Sequence, residues 1–133
     1  MRFFFYGTLL DADVRARIAG PCAVAPARLD GWRRVAMQGK SYPVIVRHYG
    51  ASVDGLLADG LDRAAARRLD TYETDEYETA RLRVVTADGR RLPALVFVAG
   101  ARARPGTVPW SLDAWVARHK RSFMRSSWVT ASG

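Results

Sequence analysis

The chain has 133 residues, 49% of them hydrophobic and 26% charged, which predicts one folded domain over residues 1–133 and excludes a disordered chain. No apolar run approaches the ~20 residues of a membrane-spanning helix, so we expect no membrane partner. The net charge of +8 would support weak, non-specific binding to nucleic acid. The arginines are spread along the chain, however, and predict a solvated basic surface rather than a specific nucleic-acid site.

The start of the chain and its cysteine content both indicate a cytoplasmic protein. No small-residue cleavage pattern follows the short apolar segment at the N-terminus, as a signal peptide would require. The single cysteine, Cys22, cannot form an internal disulfide, and we expect it to be a buried, inert thiol. The sequence leaves the oligomeric state open.

The first predicted element is a buried strand over residues 2–6, which is rich in phenylalanine and ends at Gly7. Glycine there permits unusual backbone angles or the close approach of another group. Thr8 adds a hydroxyl, and Asp11 can cap a helix that runs to Ile18. A strand, a glycine turn and a helix start in this order can bind a small anion through backbone N–H groups.

Short strands dominate the remainder of the chain, and two further helices accompany them. The predicted elements are one or two strands over residues 23–37 around a turn at Asp30-Gly31, strands over 42–46 and 53–57 around a loop at 47–52, a helix over 62–72, a hairpin of strands 77–85 and 92–98, a loop over 100–109, and a helix that Ser111 caps. This pattern predicts an α+β fold, and so many short strands favour a barrel or a strongly curled sheet.

Neither histidine is predicted to take part in catalysis. His48 lies beside a strand end, and we expect it to be exposed. His119 falls on the apolar stripe of the C-terminal helix, where we expect it to pack against the core. The other members of that stripe are Leu112, Trp115, Val116 and Phe123.

One glutamate stands out in a sequence that lacks the motifs of zinc sites, serine nucleophiles and phosphate loops. Five carboxylates lie within nine residues, and most would form a solvated turn: Asp70, Glu73, Asp75, Glu76 and Glu78. Glu73 follows Leu69 by four residues and therefore shares its core-facing side of the helix. Burial would raise the pKa of Glu73 and allow the carboxyl to move protons. Tyr72 and Tyr77 either pack in the core or wall a pocket beside it.

The order and spacing of two motifs resemble the gamma-glutamylcyclotransferase family. The segments are Tyr6-Gly7-Thr8-Leu9 and Leu69-Asp70-Thr71-Tyr72-Glu73, with Tyr77 following. The likeness is greatest to the AIG2-like and gamma-glutamylamine cyclotransferase branch and covers residues 2–98 well. It implies a small mixed β-barrel of about six strands with flanking helices.

The resemblance also implies a reaction and a set of site residues. In the family reaction, the α-amino group of a γ-glutamyl amide attacks its own side-chain carbonyl, which releases 5-oxoproline and a free amine. The substrate supplies the nucleophile, so no metal or other cofactor is expected. The implied roles are Glu73 as catalytic acid/base, Tyr6, Gly7, Thr8 and Leu9 as the substrate-binding turn, and Tyr77 and Tyr42 as pocket residues. The alternative is a non-catalytic module on the same fold that binds a small ligand or a partner.

One position departs from the family pattern. Many relatives have glycine directly after the glutamate, where this chain has Thr74. Threonine is poorly suited to positive φ. The sequence therefore predicts that the turn after the helix is built differently from that of the relatives.

Overall fold

Six strands and three helices make up the computed structural model, which describes residues 1–126. Residues 127–133 of the predicted domain lie outside the described residues. The strands are β1 (Phe3–Phe5), β2 (Ala23–Met37), β3 (Pro43–Asp59), β4 (Tyr77–Thr86), β5 (Arg91–Ala99) and β6 (Pro105–Pro109). The helices are α1 (Ala12–Ile18), α2 (Arg63–Glu73) and α3, which joins Leu112–Trp115, a π-helical Val116–Lys120 and Arg121–Met124. None of these helices has the length and apolar character needed to cross a membrane.

Five of the strands close into a barrel, in the order β3-β1-β5-β4-β2, because β2 also pairs with β3. The β1–β5 pair is parallel and the other pairs are antiparallel. Strand β6 adds to β2 outside the closed ring. The predicted α+β fold with a small mixed barrel is confirmed, with five strands in the ring and the sixth beside it.

Strand β1 is buried on both sides because it separates the barrel interior from the helices. Successive side chains of a strand point to opposite faces. Phe4 enters the interior cluster with Val96, whereas Phe3 packs with Leu69 of α2. A Cβ on Gly55, in the neighbouring strand β3, would lie 2.3 Å from the Phe5 carbonyl oxygen, so only glycine fits against β1 there. The residues that follow β1, Tyr6 to Leu9, therefore lie where the barrel meets the helices.

Strands β2 and β3 are longer than predicted, and two expected irregular segments lie within them. Gly31 has φ 87° and marks a shift of register between Asp30 and Trp32, so the predicted turn is a bulge in a continuous strand. The two strands predicted over 42–46 and 53–57 are parts of β3, and the segment predicted as the loop 47–52 lies within that strand. Long-range pairing with β2 holds both strands extended.

The loop predicted over residues 100–109 contains β6, which pairs with β2 at Val35↔Pro109 and Met37↔Pro105. Proline cannot donate a ladder hydrogen bond, but it is tolerated where a strand lies at the edge of a sheet. The two prolines that suggested a loop therefore mark an edge strand.

Three predictions of burial are wrong. Val116 is 38% exposed and His119 is exposed; both lie in the π-helical segment, whose wider turn departs from the regular helical period on which their burial was predicted. Trp115, just before that segment, is only 2% exposed. Cys22 is half-buried at the edge of the core rather than enclosed in it, because it lies in the short connection between α1 and β2.

Candidate active site

A cavity of about 190 Å³ lies where the end of β1, the end of α2 and the helix α3 meet. All seven residues singled out from the sequence line this cavity: Tyr6, Gly7, Thr8, Leu9, Tyr42, Glu73 and Tyr77. Residues as far apart in the chain as Tyr6 and Tyr77, which are separated by 71 positions, are thus brought together at one place.

The turn after β1 is built around the lack of a side chain at Gly7. A Cβ there would lie 3.0 Å from Cγ of Pro43, the first residue of β3, so the turn packs directly on the proline ring. The Leu10 N–H then donates to the Gly7 carbonyl at 2.9 Å, which forms a single short helical turn. This contact shows the close approach that was one of the two reasons predicted for glycine; Gly7 has φ −119° and ψ −135°.

Two arginines bind the carbonyl side of this turn. Arg34 donates to the Tyr6 carbonyl at 2.9 Å, and Arg15 donates to the Leu9 carbonyl at 3.1 Å. In contrast, no backbone hydrogen bond within the described residues uses the N–H of residues 7–9. The turn therefore has two guanidinium groups behind its carbonyls and unpaired N–H donors at its start.

Helix α2 carries Glu73 into the cavity. Asp62 caps the helix by accepting from the Ala65 N–H at 2.8 Å, and Leu69 is fully buried. Glu73 lies one turn later at the end of the helix. Within residues 1–126 no hydrogen bond or ion pair engages the Glu73 side chain, which is half-buried and partly desolvated by the protein atoms around it. This desolvation raises the pKa of Glu73 to about 8.

Four tyrosines surround Glu73. For two of them, Tyr72 and Tyr77, the sequence left open whether they pack in the core or line a pocket. Burial raises the pKa of each phenol, and the charge of Glu73 raises it further. Each hydroxyl is engaged elsewhere: Tyr6 with the Phe97 carbonyl at 2.5 Å, Tyr77 with the Pro43 carbonyl at 2.5 Å, Tyr72 with the Thr8 hydroxyl at 2.5 Å, and Tyr42 with Glu76. The phenols thus form fixed walls and leave the carboxyl without a partner.

The turn that follows Glu73 is strained. Thr74 has φ 63° and ψ −171° and is the one non-glycine residue with positive φ in the described chain. This backbone region is populated almost only by glycine. The helix therefore ends with a backbone shape that glycine favours, and Thr74 adopts it although threonine is poorly suited to positive φ.

Several residues that line the cavity were not predicted from the sequence to belong to a site. Trp115 and Phe123 of α3 form one wall, with ring centroids 5.4 Å apart, and Phe123 also contacts the ring of Tyr72. Their shared position on the apolar stripe of α3 could have indicated this. Glu76 was assigned to the solvated turn, but its carboxylate accepts a hydrogen bond from Tyr42. No local signal predicts that contact. No cluster of side chains in the described residues is arranged to bind a metal.

The barrel and its flanking helices have a gamma-glutamyl cyclotransferase-like fold. A solved structure named gamma-glutamyl cyclotransferase superimposes with a TM-score of 0.68 and 18% identity, over 79% of this chain and 69% of that one, which shows the shared fold. A solution structure of an Arabidopsis thaliana protein matches with a TM-score of 0.72 and 26% identity, over 92% of this chain and 85% of that one.

The sequence profile of the family described as "Gamma-glutamyl cyclotransferase, AIG2-like" matches residues 3–117, and the chain belongs to this family. Two relatives from Arabidopsis thaliana, AIG2-like protein A and Protein AIG2 C, are 26% and 28% identical to it over 126 residues. Each alignment covers 92% of this chain and 76% of the relative. The predicted family membership is confirmed.

Proposed function

We propose that this chain cleaves γ-glutamyl amides by intramolecular aminolysis, releasing 5-oxoproline and a free amine. One observation carries the proposal: Glu73 presents an unpartnered carboxyl to the cavity, with a pKa raised to about 8 by burial. A group with that pKa can both accept and return a proton near neutral pH. Membership of the family supports the same assignment.

The turn over residues 6–9 would bind the α-carboxylate of the γ-glutamyl group. Its free N–H groups are hydrogen-bond donors at the cavity wall, and Arg34 and Arg15 place positive charge behind it. Both features favour an anion. With the carboxylate fixed there, the α-ammonium would face Glu73, and the fixed phenols of Tyr6 and Tyr77 would limit the substrate to a ring-closing shape.

Glu73 would move two protons in sequence. Its carboxylate accepts a proton from the α-ammonium, and the freed amine then attacks the γ-carbonyl carbon. The same carboxyl next donates that proton to the leaving nitrogen, and the bond between the γ-carbon and that nitrogen breaks. The Glu73 carboxylate then takes the second proton from the ring nitrogen, which leaves neutral 5-oxoproline, and passes it to the released amine or to water. An α-amino group has a pKa of ~8, so the first transfer costs little when Glu73 also titrates near this value.

A panel of γ-glutamyl amides tests the proposal, with 5-oxoproline as the measured product. The panel contains amides of an alkylamine, a diamine, an α-amino acid and the lysine side chain. Glu73→Gln should lower kcat/KM by at least about 100-fold, because one general acid/base group contributes about that much. Glu78→Gln, an exposed carboxylate outside the cavity, is the matched control and should keep full activity.

Two results would overturn the proposal. Turnover by Glu73→Gln at the wild-type rate would remove the acid/base role. No 5-oxoproline from any amide, combined with calorimetric binding of a γ-glutamyl ligand, would make the chain a binding module on the same fold.

A further inference from the structure

The cavity is lined by acidic and not by basic side chains of the described residues, although the chain as a whole is strongly basic. The net charge is +8, yet Glu73 and Glu76 are the charged side chains that the described chain contributes to the lining, and no Arg, Lys or His among residues 1–126 joins them. The guanidinium groups of Arg34 and Arg15 lie behind the turn and bind its carbonyls. An anionic group therefore suits the turn, and cationic groups suit the two glutamates.

Glu76 is placed for a role distinct from that of Glu73. The Tyr42 hydroxyl donates to Oε1 of Glu76, and the Tyr42 ring lies 6.4 Å from the ring of Tyr77. These three residues form one part of the lining, which we call the Glu76 subsite. The adjacent Asp75 is paired with Arg102 at 3.3 Å, whereas Glu76 has no ion pair in the described residues. Asp75, outside the cavity, is therefore paired with an arginine, whereas Glu76, in the cavity lining, can pair with a bound cation.

The γ-glutamyl group has no use for this second carboxylate. Its α-carboxylate fits the turn and its single α-ammonium fits Glu73, as the proposed reaction requires. The cavity, at about 190 Å³, is also smaller than the ~300–1,000 Å³ typical of sites that enclose a drug-sized ligand. The part of the substrate left to bind at the Glu76 subsite is therefore its amine half.

We propose that the amine released by this chain carries a second positively charged group, and that Glu76 binds it. This proposal rests on the proposed cyclotransferase function and narrows it to γ-glutamyl derivatives of diamines or larger cationic amines. Glu76 supplies the opposite charge, Tyr42 fixes its carboxylate, and the faces of Tyr42 and Tyr77 offer cation–π contact. A carboxylate in the same place would meet a like charge, so amides of simple α-amino acids would be poor substrates.

Three substrates of matched length separate charge from size. The γ-glutamyl group is joined to 1,4-diaminobutane, to pentylamine or to 4-aminobutyrate, so that the tail ends in an ammonium, a methyl or a carboxylate. In the wild type, kcat/KM for the ammonium tail should exceed that for the methyl tail by about tenfold, the size of one charge-assisted hydrogen bond. The carboxylate tail should be the slowest. The advantage of the ammonium tail should also fall as ionic strength rises.

Glu76→Gln tests whether that residue is the source of the preference. The ratio of kcat/KM between ammonium and methyl tails should fall towards one, mainly through KM for the ammonium tail. Asp75→Asn is the matched control at the adjacent carboxylate and should keep the wild-type ratio. If Glu76→Gln does not fold, the three-substrate comparison in the wild type and its salt dependence still decide the question.

The outcomes distinguish this inference from the function on which it rests. Equal rates for ammonium and methyl tails, or an unchanged ratio in Glu76→Gln, would overturn the inference and leave the cyclotransferase function standing. Absence of 5-oxoproline from these three substrates, with turnover of another amide of the panel, would overturn the inference alone, and its absence from every amide would overturn both.

Discussion

Two carboxylates of this molecule have opposite surroundings: Asp11, which precedes α1, is buried, and Glu73, at the end of α2, is half-buried beside the cavity. Asp11 accepts from the Asp13 and Val14 N–H groups at 3.0 and 3.1 Å and pairs with Lys120 of α3 at 2.9 Å. Glu73 has no such partner in the described chain. A carboxylate with every oxygen engaged holds elements together, whereas one left without partners in a cavity is available for chemistry.

Removing the partnered carboxylate should cost the most stability. Asp11→Ala deletes the cap of α1 and leaves Lys120 without one of its two carboxylates, Asp13 being the other. We expect a loss of about 2 kcal/mol in the free energy of unfolding, measured by urea denaturation. Asp11→Asn keeps a capping side chain but not the charge, so its loss should be smaller. Equal stability of wild type and Asp11→Ala would contradict the structural role of Asp11.

Replacing the unpartnered carboxylate should have the opposite effect. Because the folded pKa of Glu73 is raised to about 8, the folded state binds more protons than the unfolded state between about pH 4.5 and pH 8, and stability falls as pH rises through that range. Glu73→Gln removes this dependence. It should raise the free energy of unfolding at about pH 8 by about 2 kcal/mol. This is less than the whole pKa shift would give, because solvent in the cavity reduces the cost of the charged carboxylate. Urea denaturation at about pH 4.5 and about pH 8 measures the free energy of unfolding of both proteins. The control Glu78→Gln should show no gain in stability at either pH.

Relieving the strain beside Glu73 should give the smallest change. Thr74→Gly removes a backbone cost of about 1–3 kcal/mol but adds entropy to the unfolded chain, so we expect a net gain of about 1 kcal/mol in the free energy of unfolding. Thr74→Ala keeps the unfavourable φ and serves as control. If alanine stabilises the protein as much as glycine in thermal or urea unfolding, the threonine side chain rather than φ is the cause.

Local signals predicted the parts of the fold that are decided locally. Asp11 and Ser111 were expected to cap helices, and each accepts a hydrogen bond from a backbone N–H two or three residues later. Such contacts span one helical turn and depend little on the remainder of the chain. The cavity position of Glu73 was also foreseeable, because it continues the buried side of α2 from Leu69.

Features decided by distant contacts were not predictable. A glycine with positive φ serves a turn or a bulge equally well, and only pairing with β3 makes Gly31 a bulge. The strand β6 exists because β2 offers an edge to it, and the exposure of His119 follows from a π-helical segment with no local sequence signal. The contact of Glu76 with Tyr42 joins residues 34 positions apart.

Titration of the Glu73 carboxyl is the most direct test of whether this residue has a raised pKa and can carry protons. Carbon-13 NMR of glutamate-labelled protein, with the Glu73 signal identified by its loss in Glu73→Gln, would give the pKa of this one group. We expect the Glu73 carboxyl to titrate near pH 8. A Glu73 that titrates at the ordinary value of a solvated glutamate, ~4.3, would contradict both its isolation in the cavity and its proposed role as proton carrier.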